Sequence, residues 1–245
     1  MTRLEACVAR ALGFADAIRE RWSQLACAAL VATAVACLTA SSTGAELVHA
    51  RLRAYPLDLI ARTAAPSGAS LCHPKQLVYY RGTRLKLEPP SPVFQPFVAR
   101  LQRLEETLVE IGVQVYGRAP VKLVHVGTFV CRNVEPERSH LSEHAFGNAI
   151  DVTGFRFPAL DPKAQNAGTR DLPPRLRGAF TVSVRADYYP TRPTTAAGER
   201  HRRFFDALNA ALREGDLFRT AIGPADSRHR SHLHLDMAPW PYVRL

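Results

Sequence analysis

The sequence predicts an α+β domain: a small central antiparallel sheet with flanking helices, preceded by an N-terminal hydrophobic helix. Three observations carry this. Residues 92–112 and 199–214 place apolar side chains at helical spacing, and several short runs rich in β-branched and aromatic residues read as strands. Helix and strand signals follow one another without the regular alternation of a parallel α/β sheet. Of the 245 residues 47% are hydrophobic and 22% charged, which excludes disorder throughout. The 18 Pro and 14 Gly are too few for a collagen-like or low-complexity chain, and there is no internal repeat.

In chain order, residues 1–24 are amphipathic and of mixed charge, ending on Arg19, Glu20, Arg21 and Trp22. The run 25–40 (LACAALVATAVACLTA) then carries no charge. A basic flank, an apolar run and a small-residue exit (SSTGA) are the grammar of an export signal. As a helix the run spans about 24 Å, short of a hydrocarbon core of ~30 Å, so a cleaved signal and a short membrane anchor both fit it. Arginines ahead of the run favour an exported remainder. An Ala-rich buried helix is the bland alternative, weakened because nothing polar interrupts any face. The expected organisation is therefore a leader or anchor over 1–44, a linker over 45–70 and one domain over 71–245. The expected location is the periplasm, free or tied to the inner membrane by residues 25–40.

Within the exported part, 71–80 holds a first short strand. The 92–112 helix turns Phe94, Phe97, Val98, Leu101, Leu104, Leu108 and Ile111 to the core, with Gly112 as its stop. Residues 121–131 and 148–157 read as strands, 158–178 as a Pro/Gly-punctuated loop or lid, and 180–185 as a further strand. The 199–214 helix buries Phe204, Phe205, Leu208 and Leu212, and strands at 218–222 and 232–237 close the chain. Of five cysteines, Cys7, Cys27 and Cys37 fall in or before the leader. Cys72 and Cys131 remain; in an oxidising compartment they could form one disulfide, or stay as two thiols.

Two segments carry chemistry, SEHAFGNAID (142–151) and HRSHLHLD (229–236). In a strand over 232–236, His232, His234 and Asp236 share one face, and Leu233 and Leu235 fill the other. Small residues at Gly147 and Ala149 let the chain turn tightly between His144 and Asp151. Two imidazoles and a carboxylate suit Zn²⁺ with a fourth position left for water, so a zinc cleft beside the sheet is expected. Taken singly, a His is more often a satisfied surface or core residue, and Asp236 could be a strand-end cap. The joint pattern S-x-H-x-x-G-x-A-x-D followed by H-x-H is much rarer. Glu143 neighbours a candidate ligand and would point away from it in an extended segment. His140 and His229 read as solvated loop histidines, and Tyr188 and Tyr189 as groove-lining or sheet-packing residues.

At these residues the sequence resembles the extensin-like C-terminal domain family. That family is related to the D-Ala-D-Ala carboxypeptidases and murein endopeptidases of the lysostaphin/hedgehog-type zinc fold. The resemblance covers roughly 71–240 and rests on GTFVCR (127–132), LSEHAFGNAIDVTGF (141–155), IGP (222–224) and HRSHLHLDMA (229–238). It implies His144, Asp151 and His234 as zinc ligands. Arg132 would lie beside the substrate, holding an oxyanion or a carboxylate. The glutamate that carboxypeptidases carry three residues before the last ligand is Ser231 here, which moves the base role to His232. The implied activity is zinc-dependent cleavage of an amide bond in peptidoglycan peptides. The alternative is a catalytically silent wall-binding or scaffolding module of the same fold.

The chain holds 32 Lys and Arg against 22 Asp and Glu, a net charge of +10. Such an excess points to an anionic partner. Export and the lack of any nucleic-acid-binding motif turn the expectation away from nucleic acid, towards an anionic wall or membrane surface.

Overall fold

The computed structural model describes residues 55–58, 62, 72, 76–135, 140–163, 166–188, 193–214 and 216–245. The expected leader 1–44, with its run 25–40, lies outside them. Among the described residues no helix is long and apolar enough to cross a membrane. Pro56–Leu245 forms one compact unit.

The α+β expectation holds in outline and changes in the sheet. Strands β1 (Leu77–Tyr80) and β3 (Ser91–Phe94) pair by themselves. The main sheet has seven strands: β2 (Lys86–Glu88), β4 (Lys122–His125), β5 (Ala149–Phe157), β6 (Phe180–Ser183), β7 (Thr220–Ile222), β8 (Leu233–Asp236) and β9 (Tyr242–Arg244). Its order is β2-β4-β5-β8-β7-β9, with β6 also on β5. The centre is antiparallel, as expected, but β2 runs parallel to β4 and β9 parallel to β7. A parallel neighbour needs a crossover, and between β2 and β4 the helix α1 (Val98–Tyr116) supplies it. β2 and β9 are three residues each, too short to show a period of two in the sequence.

Helix α1 begins and ends later than its apolar pattern indicated. Pro92 lies in β3, and Pro96 opens a 3-10 turn (Gln95–Phe97), which delays the helix to Val98. Its left-handed cap is Gly117 at φ 74°, while Gly112 sits mid-helix. Gly112 is needed there for space: a Cβ would lie 2.8 Å from the Pro120 ring and 2.9 Å from the Arg118 carbonyl. A short helix α2 (Val184–Asp187) replaces the end of the strand expected over 180–185. Helix α3 (Ala196–Glu214) starts three residues earlier than its pattern. The loop 158–178 carries two 3-10 turns, Ala167–Thr169 and Pro174–Leu176.

The core lies between α1, α3 and one face of the sheet. Leu101, Leu104 and Leu108 of α1 and Phe204, Leu208 and Leu212 of α3 are all buried. Phe204 meets Phe155 of β5 at 5.2 Å, and Tyr116 meets Phe157 at 4.7 Å between ring centroids. β5 keeps this face covered by changing phase. The register shifts where Val124 pairs with Gly154 but His125 pairs with Val152, leaving Thr153 as an extra residue. Ile150 and Val152 are buried on one side of this bulge, and Phe155 and Phe157 on the other. Their partners on β8, Leu235 and Leu233, are each 1% exposed. Residues Ala149 and Asp151 therefore face away from the helices.

Leu57, Asp58 and Arg62, from the stretch expected to be linker, pack on the domain. Leu57 is 4% exposed and Arg62 8%. Asp58 accepts from Arg219 at 3.1 Å, and the Arg62 carbonyl accepts from the Leu141 amide at 3.0 Å. Cys72 and Cys131 form a disulfide, with Cα atoms 5.7 Å apart and 59 residues of sequence separation. A cross-link closing a loop of that length stabilises by about 4 kcal/mol through restriction of the unfolded chain. Cys131→Ser is expected to lower the unfolding free energy from urea titration by roughly that amount with the far-UV spectrum retained; an unchanged midpoint and slope would refute the estimate.

Candidate metal centre

Three side-chain donor atoms converge on the face of the sheet turned away from the helices. His144 Nε2 lies 3.2 Å from Asp151 Oδ1 and 3.2 Å from His234 Nδ1, and His234 Nδ1 lies 2.9 Å from Asp151 Oδ1. Among the described residues these three form the group able to hold a metal ion.

Two of the three are placed by strand register. Asp151 of β5 and His234 of β8 are direct cross-strand partners, and such pairs carry their Cβ atoms roughly 4.5–5.5 Å apart on one face. Ala149 opposes Asp236 in the same ladder, so the small side chain leaves that face open. His144 arrives on a 3-10 turn, Glu143–Phe146, whose start is capped by Ser142 accepting from the His144 amide at 3.3 Å. Gly147 ends the turn in the left-handed region at φ 67°. Its carbonyl accepts from Phe94 of β3, and a Cβ there would lie 2.9 Å from that Phe94 nitrogen. Only glycine satisfies both demands without strain.

The outer nitrogens fix the ring orientations. His144 Nδ1 donates to the Thr128 carbonyl at 3.3 Å, which leaves Nε2 as a lone pair. His234 Nε2 donates to Asp236 Oδ2 at 2.8 Å, which leaves Nδ1 for the centre. Asp236 Oδ1 also accepts from the Ala238 amide at 2.8 Å, so Asp236 is both a strand-end cap and the group that orients His234. These tautomers follow from the hydrogen-bond partners. They point two nitrogen lone pairs and a carboxylate oxygen at one place, an arrangement that a cation or a proton relieves.

Without a metal ion a proton does so. Burial opposes a charge on His234, but its hydrogen bonds to Asp151 and Asp236 outweigh it, and its pKa is pushed up to about 10. Burial likewise opposes ionisation of Asp151, but the imidazoles of His144 and His234 beside it hold its carboxyl well below the usual range.

The centre opens on a cleft of about 530 Å³ whose walls include Arg132, His140, Arg228, His229, His232 and Trp240. His144 is fully buried, so access comes from the side of His234 and Asp151, which are 12% and 14% exposed. His232 lies just before β8, with Nε2 3.8 Å from Asp151 Oδ1, and burial lowers its pKa. Arg132 stands exposed on the cleft wall next to Cys131. His140 meets Trp240 edge-on at 5.5 Å. Glu143 does not face the donors: it pairs with Arg62 and accepts from Asn148 at 2.5 Å. Tyr188 packs on Phe205 of α3 at 4.8 Å and bonds Asn209, away from the cleft; Tyr189 lies outside the described residues.

His229 differs most from its sequence reading as a solvated loop residue. Its Nδ1 is 3.0 Å from Asp226 Oδ1, and its ring centroid is 5.0 Å from that of His232 and 5.8 Å from that of His234. Burial lowers its pKa against the pull of Asp226. A D-x-x-H spacing within ADSRHR was the available sequence signal.

Fold and site together define an α+β domain with a candidate two-histidine, one-aspartate metal centre at the floor of a cleft walled by histidines, two arginines and Trp240. Residues 49–163 match the family described as extensin-like protein C-terminus. The match takes in Arg62, Cys72, Cys131, His144 and Asp151, and ends before His229, His232 and His234. It begins upstream of residue 71, where the domain was expected to start. No curated protein and no solved structure gave a match.

In metal-free protein His234 is expected to stay protonated through neutral pH and to titrate near 10 by NMR, and Asp236→Asn is expected to bring that value down. Because the folded value is raised, the stabilisation from this charged histidine is full below an unfolded histidine's pKa of about 6.5. It is lost as pH climbs through about 10. A His234 that titrates near 6.5 in the metal-free protein would contradict the assignment.

Proposed function

We propose that the protein is a zinc-dependent hydrolase that cleaves an amide bond of peptidoglycan peptides, akin to D,D-carboxypeptidases and murein endopeptidases of the lysostaphin/hedgehog-type zinc fold. The convergence of His144 Nε2, His234 Nδ1 and Asp151 Oδ1 carries the reading. Tetrahedral zinc with bonds of ~2.0–2.1 Å sets its ligand atoms about 3.3 Å apart. The separations here are 3.2, 3.2 and 2.9 Å. Imidazole and carboxylate are zinc's usual donors, and each imidazole has its second nitrogen anchored, as metal-binding histidines do.

Zinc held by these three side chains supplies Lewis acidity, polarising a carbonyl and acidifying a water. The protein's own groups do the rest. His232 and His229, both neutral at pH 7 because burial lowers their pKa, are placed to accept a proton from an attacking water and return it to a leaving amine. Asp226 fixes the His229 ring through Nδ1 and leaves Nε2 as the acceptor. Arg132, on the cleft wall, offers a planar fork to an oxyanion or a substrate carboxylate. Arg228, also on the cleft wall, donates to the Glu135 carbonyl at 2.7 Å and lies 3.5 Å from Asp226 Oδ1. A cleft with these cations suits a peptide that carries free carboxylates.

Ser231 in place of a carboxypeptidase glutamate favours a second reading, a wall-binding module that keeps the fold without turnover. One experiment separates the two. Purified protein is assayed for zinc and incubated with muropeptides, beside His234→Ala, His232→Ala and His229→Ala. The hydrolase reading expects one zinc per chain, loss of both zinc and cleavage in His234→Ala, and zinc retained with cleavage lowered about 10²–10⁴-fold in the variant that removes the base. Zinc bound and sacculi retained, with no product from the unaltered protein, would select the silent module. Calorimetry in buffers of different ionisation enthalpy is expected to report about one proton released per zinc at pH 7, since the ion displaces the proton on His234.

A further inference from the structure

Arg62 belongs to the stretch expected to be linker, yet its side chain is buried against the turn that carries His144. Nε donates to Glu143 Oε1, Nη2 reaches Glu143 Oε2 at 3.4 Å, and Nη1 donates to the Leu57 carbonyl at 2.9 Å. The guanidinium lies 5.5 Å from the Phe146 ring centroid and 5.8 Å from that of Trp240. Its own carbonyl accepts from the Leu141 amide. Glu143 is the residue before His144, and its second tie is to fully buried Asn148, whose amide in turn donates to the Glu143 carbonyl at 3.0 Å. The Arg62 side chain thus grips the 143–148 turn from outside and also covers an aromatic wall of the cleft.

We infer that Arg62 is a positioning residue of the site: through Glu143 it holds the turn that presents His144, and through its plane it seats Trp240. The inference rests on the zinc reading above for its link to metal affinity. Arginine suits the place because its flat fork takes both oxygens of a carboxylate while stacking on rings, which a lysine cannot do.

The test uses the full chain. Arg62→Met alone leaves a buried carboxylate unpaired and can fail to fold, so it is paired with Glu143→Gln, which removes both charges. Asp58→Asn is the control, since it loosens the same stretch at Arg219 without touching the turn. The double variant is expected to bind zinc ~10–100-fold more weakly, as loss of a group supporting a ligand does, and Asp58→Asn to bind it as the unaltered protein does. In zinc-free protein the Gly147 and Asn148 amides are expected to exchange faster with solvent in the double variant alone. Equal zinc affinity and equal exchange in the double variant and the unaltered protein overturn the inference. An Asp58→Asn that weakens zinc as much also overturns it, because the stretch would then act as a whole. If the unaltered protein takes no zinc, the zinc reading fails, and exchange at Gly147 and Asn148 still decides whether Arg62 holds the turn.

Discussion

The direct pairing of Asp151 with His234 across β5 and β8 is the constraint on which the site depends. It sets an acid and an imidazole side by side, on the face that the helices do not cover, with no freedom beyond rotamers. Everything else serves that pair. The bulge at Thr153 lets β5 keep its aromatic half on the helices while Asp151 stays on the open face. Asp236, two residues along β8, locks the ring of His234, and the glycine-ended turn brings His144 to within hydrogen-bond range of both. Three groups that repel or frustrate one another when empty are held together by strand register, a cap and a backbone conformation. That is preorganisation, and its cost is borne by the surrounding fold.

How much of this the sequence carried depended on range. Alternation along 232–236 placed the histidines opposite Leu233 and Leu235 because both sides of that argument sit within five residues. The turn between His144 and Asp151 was readable for the same reason, from Gly147 and Ala149. Helix α1 was legible from its apolar rows, but its ends were not. Gly112 looks like a stop until the nearness of Pro120 shows why a side chain cannot fit there. The bulge was invisible because an extra residue in a strand leaves no local mark on a ten-residue apolar pattern. Arg62 and Asp58 were out of reach altogether: their partners lie 81 and 161 residues away, and a polar, Pro- and Gly-punctuated stretch reads as linker whatever it later packs on.

Charge acquires a more local meaning from the structure. The net +10 first says only that an anion is welcome. In the cleft, Arg132, Arg228 and three histidines stand around a centre whose carboxylates are already engaged with cationic or hydrogen-bonding partners. Arg228 is itself tied to the Glu135 carbonyl and to Asp226, and burial keeps His229 and His232 neutral at pH 7, so the positive charge that faces the opening is that of Arg132, with an exposed Trp240 offering an apolar surface on the same wall. Attraction at that distance is long-ranged and weakens with salt, so it governs how fast an anionic chain arrives more than how firmly it stays.

Asp58, Arg62 and Cys72, which tie the chain ahead of β1 to the domain, also have a temporal side. A ribosome releases Asp58, Arg62 and Cys72 before their distant partners exist. Cys131 follows 59 residues later, Glu143 81 residues later and Arg219 161 residues later. Closing loops of that span is slow relative to forming a helix or a hairpin. The first part of the domain to be synthesised is therefore among the last to be secured, and it waits in an unfinished state until β7 and β8 have emerged.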